Sequence, residues 1–121
     1  MKNCLIVDDS AVVRSVARDI LGKLGFHCRE AKDGALALAR CAEEMPDVML
    51  LDWNMPVMDG IECLVALRKM PLSAGVKVIF CTTQNEIAQI EQALAAGADE
   101  YIMKPFDAAL LKDKFIQTGI L

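Results

Sequence analysis

The sequence predicts an α/β domain built on a parallel five-stranded sheet with helices on both faces. Three observations carry that prediction. Short apolar runs alternate with stretches of helical spacing five times along the chain. Most of the runs stop abruptly at polar or charged residues. One run, VMLL at 48–51, is apolar at every position, the pattern of a central parallel strand covered on both faces. Alternation with short crossovers favours right-handed βαβ units and hence a parallel sheet.

The elements follow in order. Residues 4–7 form a short apolar run ended by Asp8 and Asp9, a buried strand. Ser10 stands where a helix cap stands. Val12, Val13, Val16, Ala17, Ile20, Leu21 and Leu24 then recur at helical spacing until Gly25 stops them. Residues 26–31 are a weaker strand whose polar positions suit a sheet edge, and Asp33-Gly34 marks a turn. Good helix formers fill 35–44, and Pro46 breaks them. The strand at 48–51 delivers Asp52. Ile61, Leu64, Val65 and Leu67 mark a third helix, closed by Pro71 and Gly75. A fourth strand at 76–81 runs into Thr82, Thr83, Gln84 and Asn85. Ile87, Ile90, Ala93 and Leu94 place a fourth helix before Gly97. The fifth strand, 100–103, is closed by Lys104-Pro105, and Ala109, Leu110, Lys114 and Phe115 lie on the last helix.

The bulk numbers set bounds. A chain of 121 residues suits one domain, expected to span 1–121 and able to bury a core without staples. Hydrophobic residues make up 55% and aromatic residues 5%, so the core is aliphatic. A net charge of -4 argues against a nucleic-acid surface. The five cysteines are odd in number and lack a C-x-x-C pair, so they read as reduced, packed thiols suited to a cytoplasmic location. No run approaches a membrane span, and the N-terminal apolar run is too short for a signal peptide. The single histidine, His27, cannot build a metal cluster or a triad, the seven methionines read as core filler, and no Gly-rich phosphate loop is present.

The chemistry gathers at the strand ends. Strand one ends in Asp8 and Asp9, strand three in Asp52, strand four in Thr82 and Thr83, strand five in Lys104. In parallel α/β sheets, ligands bind outside these carboxyl ends. Three convergent carboxylates repel one another, and a hard divalent cation relieves the strain. Mg²⁺ fits, taking oxygen ligands, waters and a phosphate oxygen. Asp9 and Asp52 are the expected direct ligands, with Asp8 acting through a water and the Asn54 backbone carbonyl turning back to the ion. Lys104 supplies an ammonium and Thr82 a hydroxyl for the equatorial oxygens of a transferring phosphoryl group. Asp52 is the nucleophile at the centre. Trp53, beside it, is expected to be partly exposed and to report Mg²⁺ binding by fluorescence. A solvated turn, a helix cap or a loop lysine explains each residue alone. Their arrival at one sheet edge is what argues for a site.

Four segments, VDDS at 7–10, LLDWNMPVMDG at 50–60, VIFCTT at 78–83 and GADEYIMKPF at 97–106, resemble the receiver domains of two-component response regulators. The resemblance covers essentially the whole chain, and the spacing from Thr82 to Lys104 matches. It implies a flavodoxin-like fold with strand order 2-1-3-4-5, an order known from flavodoxin and chemotaxis receivers rather than derived from these residues. It also implies phosphorylation of Asp52 by a phosphohistidine on a sensor histidine kinase or phosphotransfer protein, with Asp8 and Asp9 as the acidic pair for Mg²⁺. By the same resemblance Thr82 is the switch hydroxyl, Tyr101 the switch aromatic, Lys104 the phosphoryl-contacting lysine, and the Lys104–Pro105 bond is cis. Output is expected through protein contacts on the face of helix four, strand five and helix five, from a monomer with dimerisation on activation left open. Thr83 is expected to narrow access to the site, and Gln84 and Asn54 lie where family members tune phosphoryl lifetime.

Chemotaxis is the favoured process, with a phosphorelay intermediate or cell-cycle regulator as alternatives. An aspartyl-phosphate phosphatase is the rival of another class. It commonly needs a second acid two residues past the nucleophile, where this chain has Asn54. A degenerate binding-only receiver is disfavoured because no site residue is missing. The chain is therefore expected to be no enzyme beyond its own phosphorylation and dephosphorylation.

Overall fold

The computed structural model describes residues 2–83 and 88–121. The strands are β1 (Asn3–Val7), β2 (His27–Ala31), β3 (Val48–Asp52), β4 (Lys77–Thr82) and β5 (Glu100–Met103). Between and after them run α1 (Ala11–Lys23), α2 (Gly34–Glu43), α3 (Gly60–Arg68), α4 (Ile90–Ala95) and α5 (Ala108–Gln117). All strand pairs are parallel, in the order β2-β1-β3-β4-β5. Reversal of direction away from β1 and β3 is the switch point at which such sheets open a ligand crevice.

Strand alternation sorts the core into two layers. Cys4 and Ile6 of β1, Val48 and Leu50 of β3, Ile79 and Cys81 of β4 and Ile102 of β5 share a cluster with Ala17 and Leu21 of α1 and Leu111 and Phe115 of α5. The intervening residues Leu5, Val7, Met49, Leu51, Val78 and Phe80 pack with Ala37 and Cys41 of α2, Cys63, Leu64 and Leu67 of α3, and Ala93 of α4. The central strand β3 is buried at every position because both layers close over it. Burial on this scale is worth about 25 cal/mol per Å² of apolar surface removed from water.

The helix starts are chemically specified. Ser10, Asp33, Asp59 and Asp107 each accept a backbone N–H with their side chains at the N-caps of α1, α2, α3 and α5. At α3 the cap is reciprocal: Glu62 reaches back to the Asp59 N–H at 3.2 Å. The five cysteines are free and buried, as expected. No described helix is long and apolar enough to cross a membrane. The expected start of the fourth helix at Ile87, and the Gln84 position, lie outside the described residues.

Candidate functional site at the carboxyl ends of the strands

Strand parity places the site. Asp8 continues the alternation of Cys4 and Ile6, Asp52 that of Val48 and Leu50, and Lys104 that of Ile102, so all three belong to the α1–α5 side of the sheet rim. Asp8 is 2% exposed and Asp52 7% exposed. The Lys104 ammonium donates to both, at 2.7 Å to Asp8 Oδ2 and 3.0 Å to Asp52 Oδ1. Asp8 Oδ1 also accepts the Ser10 N–H at 2.8 Å, which fixes the carboxyl at the mouth of α1. The Lys104–Pro105 peptide is cis, and the Lys104 N–H donates to the Thr82 carbonyl at 2.7 Å. Asp9 is exposed, yet one carboxylate oxygen from each of Asp8, Asp9 and Asp52 lies within 4.8 Å of the others.

The electrostatics follow from burial and count. Burial pushes the Asp52 carboxyl up, Lys104 pulls it back, and Asp8 and Asp9 raise it again, leaving it at about 6. Burial pulls the Lys104 ammonium down, but its hydrogen bonds and attraction to Asp8 and Asp52 outweigh that and hold it above the ordinary lysine value. The asymmetry is one of number. The lysine has two anionic partners, whereas Asp52 shares one cation and faces two acids. Three hard oxygen donors so placed fit a divalent cation.

The site residues expected from sequence do not all converge. Asp8, Asp9, Asp52 and Lys104 do. Thr82 is buried, but its parity is that of Val78 and Phe80, and its hydroxyl donates to the Met103 sulfur at 3.3 Å. In the β3–β4 register the residue opposite Asp52 is Cys81. Tyr101 is half-buried against the α2–α3–α4 layer. Asn54 is exposed on the loop after β3. Thr83 lines, with Lys104, Pro105, Phe106 and three valines of α1, a groove of about 440 Å³ beside the site.

Trp53 corrects the sequence reading. It is 5% exposed, not partly exposed. The alternation of Met49 and Leu51 carries through Asp52, so the indole turns into the opposite layer and meets Phe80 at 4.9 Å between ring centroids. Gly60 was missed. Its N–H donates to the Trp53 carbonyl at 2.8 Å, closing the loop that follows Asp52. A Cβ there would collide with the Asp52 carbonyl oxygen and lie 2.6 Å from the Phe80 ring. The signal was present in the Asp59-Gly60 pair at the head of a helix, which requires a close approach only if α3 packs on β3.

A parallel β2-β1-β3-β4-β5 sheet with three acids and a lysine at one rim defines a receiver, and comparison with known proteins agrees. The model of the response regulator receiver domain family matches residues 4–116. The chain belongs to that family. It is 39% identical over 105 residues to the chemotaxis protein CheY of Bacillus subtilis, covering 86% of each chain. It is 40% identical over 111 residues to CheY-3 of Vibrio cholerae, covering 91% of this chain and 85% of the relative. Among solved structures, chemotaxis protein CheY4 of Vibrio cholerae superposes with a TM-score of 0.92 at 30% identity over 98% of each chain. A putative response regulator from Chloroflexus aurantiacus does so with 0.89 at 28% identity, again over 98% of each.

Proposed function

We propose that this receiver accepts a phosphoryl group on Asp52 from the phosphohistidine of a histidine kinase or phosphotransfer protein, and that the modification switches its protein contacts. The observation that carries the reading is the Lys104 ammonium bridging Asp8 and Asp52 at 2.7 and 3.0 Å. A buried acid that already holds a cation at one oxygen is poised to present the other to phosphorus.

Asp8, Asp9, Asp52 and the Asn54 carbonyl would hold Mg²⁺, which when bound supplies positive charge to the phosphoryl oxygens. An Asp52 carboxylate oxygen forms the new bond to phosphorus as the bond to the donor imidazole nitrogen breaks. The electron pair leaves with the imidazole, which is neutral once that nitrogen or its ring partner holds a proton. Lys104 then follows the developing charge from carboxylate to phosphoryl oxygen. Thr82 gives up the Met103 sulfur for a phosphoryl oxygen, a far stronger acceptor. The space that its movement frees admits the Tyr101 ring, which remodels the α4–β5–α5 face. The change is a shift between two packings rather than a new fold.

The names of the relatives support chemotaxis as the process, and five buried thiols fit a cytoplasmic location. We assign no turnover of external substrates. Repeated hydrolysis of a small phosphomonoester would defeat that point. The principal test is transfer of labelled phosphoryl from a histidine kinase, with and without Mg²⁺. Label should appear on wild type and not on Asp52→Asn; label on the variant would refute the assignment.

A further inference from the structure

The Tyr101 ring is held by more than packing. Lys114 of α5 stands over it, 4.6 Å from Nζ to the ring centroid. The same ammonium lies 3.4 Å from Glu100 Oε1, and both side chains are largely buried, at 17% and 23% exposure. That Glu100 oxygen also accepts the Tyr101 N–H at 3.0 Å. Among the described residues β5 pairs only with β4 and so is an edge strand, which leaves alternate N–H groups without a ladder partner. Glu100 thus satisfies the edge amide of Tyr101 and fixes the cation that covers its ring.

We propose that Glu100 and Lys114 are positioning residues that latch Tyr101 in its resting place and so set the threshold for activation at Asp52. The inference rests on the function proposed above and deepens it. An ammonium over an aromatic face is attracted by the ring quadrupole, and partial desolvation strengthens the attraction. The contact exists only while the ring stays beneath Lys114. Movement of Tyr101 forfeits it, whereas the Glu100–Lys114 pair and the edge amide bond need not break. The latch therefore stabilises one of two packings and not the other, which is the condition for shifting a population. Neither Asp52 nor Lys104 is touched by it.

The test uses the full chain and beryllofluoride with Mg²⁺, which occupies a phosphorylatable carboxylate as a phosphoryl mimic, with affinity read by Trp53 fluorescence. Lys114→Met keeps an apolar stem and removes the charge. It should bind beryllofluoride about two- to tenfold more tightly than wild type. Lys114→Arg should stay near wild type, because guanidinium also sits on aromatic faces. In a Tyr101→Ala background, Lys114→Met should have no effect. By NMR, the Lys114 side-chain protons should be shifted upfield by the ring in the free protein, and beryllofluoride should remove that shift. A merely structural lysine would lower the urea midpoint and leave affinity and ring-current shift alone. Equal or weaker binding by Lys114→Met, or an effect that persists without Tyr101, overturns the latch while leaving Asp52 as acceptor. A wild type that takes no beryllofluoride overturns both.

Discussion

The Lys104 ammonium sits 3.0 Å from Oδ1 of Asp52, and it is the counter-charge for an acid that burial pushes up from its ordinary value. Removing it should be costly. Lys104→Met leaves the Asp8 and Asp52 carboxyls buried without a cation, and we expect a loss of about 1–3 kcal/mol at pH 8 by urea unfolding. The deficit should shrink toward pH 5, where Asp52 takes up a proton.

Asp52→Asn should act in the opposite direction. The folded-state value of Asp52 is raised from 3.8 to about 6, so the folded protein holds this proton more tightly than the unfolded chain. Its contribution to stability is fully present below 3.8 and lost as pH rises through about 6. Above that the charged carboxylate opposes folding, and its neutral isostere should raise stability by about 1–2 kcal/mol at pH 8 in metal-free buffer. Lys104 keeps Asp8 as its partner in the variant. No gain at pH 8 would contradict the assigned electrostatics.

The same proton competes with a divalent cation. Mg²⁺ affinity should be steady above about pH 7 and fall roughly tenfold per unit well below the Asp52 value. A titration followed by Trp53 emission at pH 8, 6 and 5 measures it.

Gly60→Ala tests the scaffold behind the site. The added methyl meets the Asp52 carbonyl and the Phe80 ring, so α3 must shift off β3. We expect a loss of about 2–4 kcal/mol and slower phosphorylation, since Asp52 moves with its own backbone. Calorimetry and acetyl-phosphate kinetics on one preparation check both.

Arg68, at the far end of the sheet, should matter for stability alone. Its guanidinium donates to the Gly97 carbonyl at 2.8 Å and the Ser73 carbonyl at 2.8 Å, and pairs with Asp99 at 3.3 Å. Arg68→Ala should lower stability by about 1–3 kcal/mol with phosphorylation unchanged.

The layers and the acidic rim were legible because strand parity and burial leave a direct mark on composition. VMLL at 48–51 could only be a covered strand, and each acid follows a hydrophobic run. Trp53 was misread because adjacency to Asp52 suggested the same environment, whereas adjacent residues on an extended chain face opposite layers. Parity also separates Thr82 from Asp52, a distinction that listing strand-end residues does not make. Arg68 and the Glu100–Lys114 pair left no signal of their own. Each acts through contacts between segments distant in sequence or through an edge amide, and those exist only once the chain is folded.

Phosphoryl mapping tests the central claim most directly. The protein is incubated with acetyl phosphate and Mg²⁺, trapped with borohydride, digested and sequenced by mass spectrometry. The account predicts reduction to homoserine at residue 52 alone, abolished by chelating the metal. Modification at residue 8 or 9, or none at 52 under conditions that label another receiver, would contradict it.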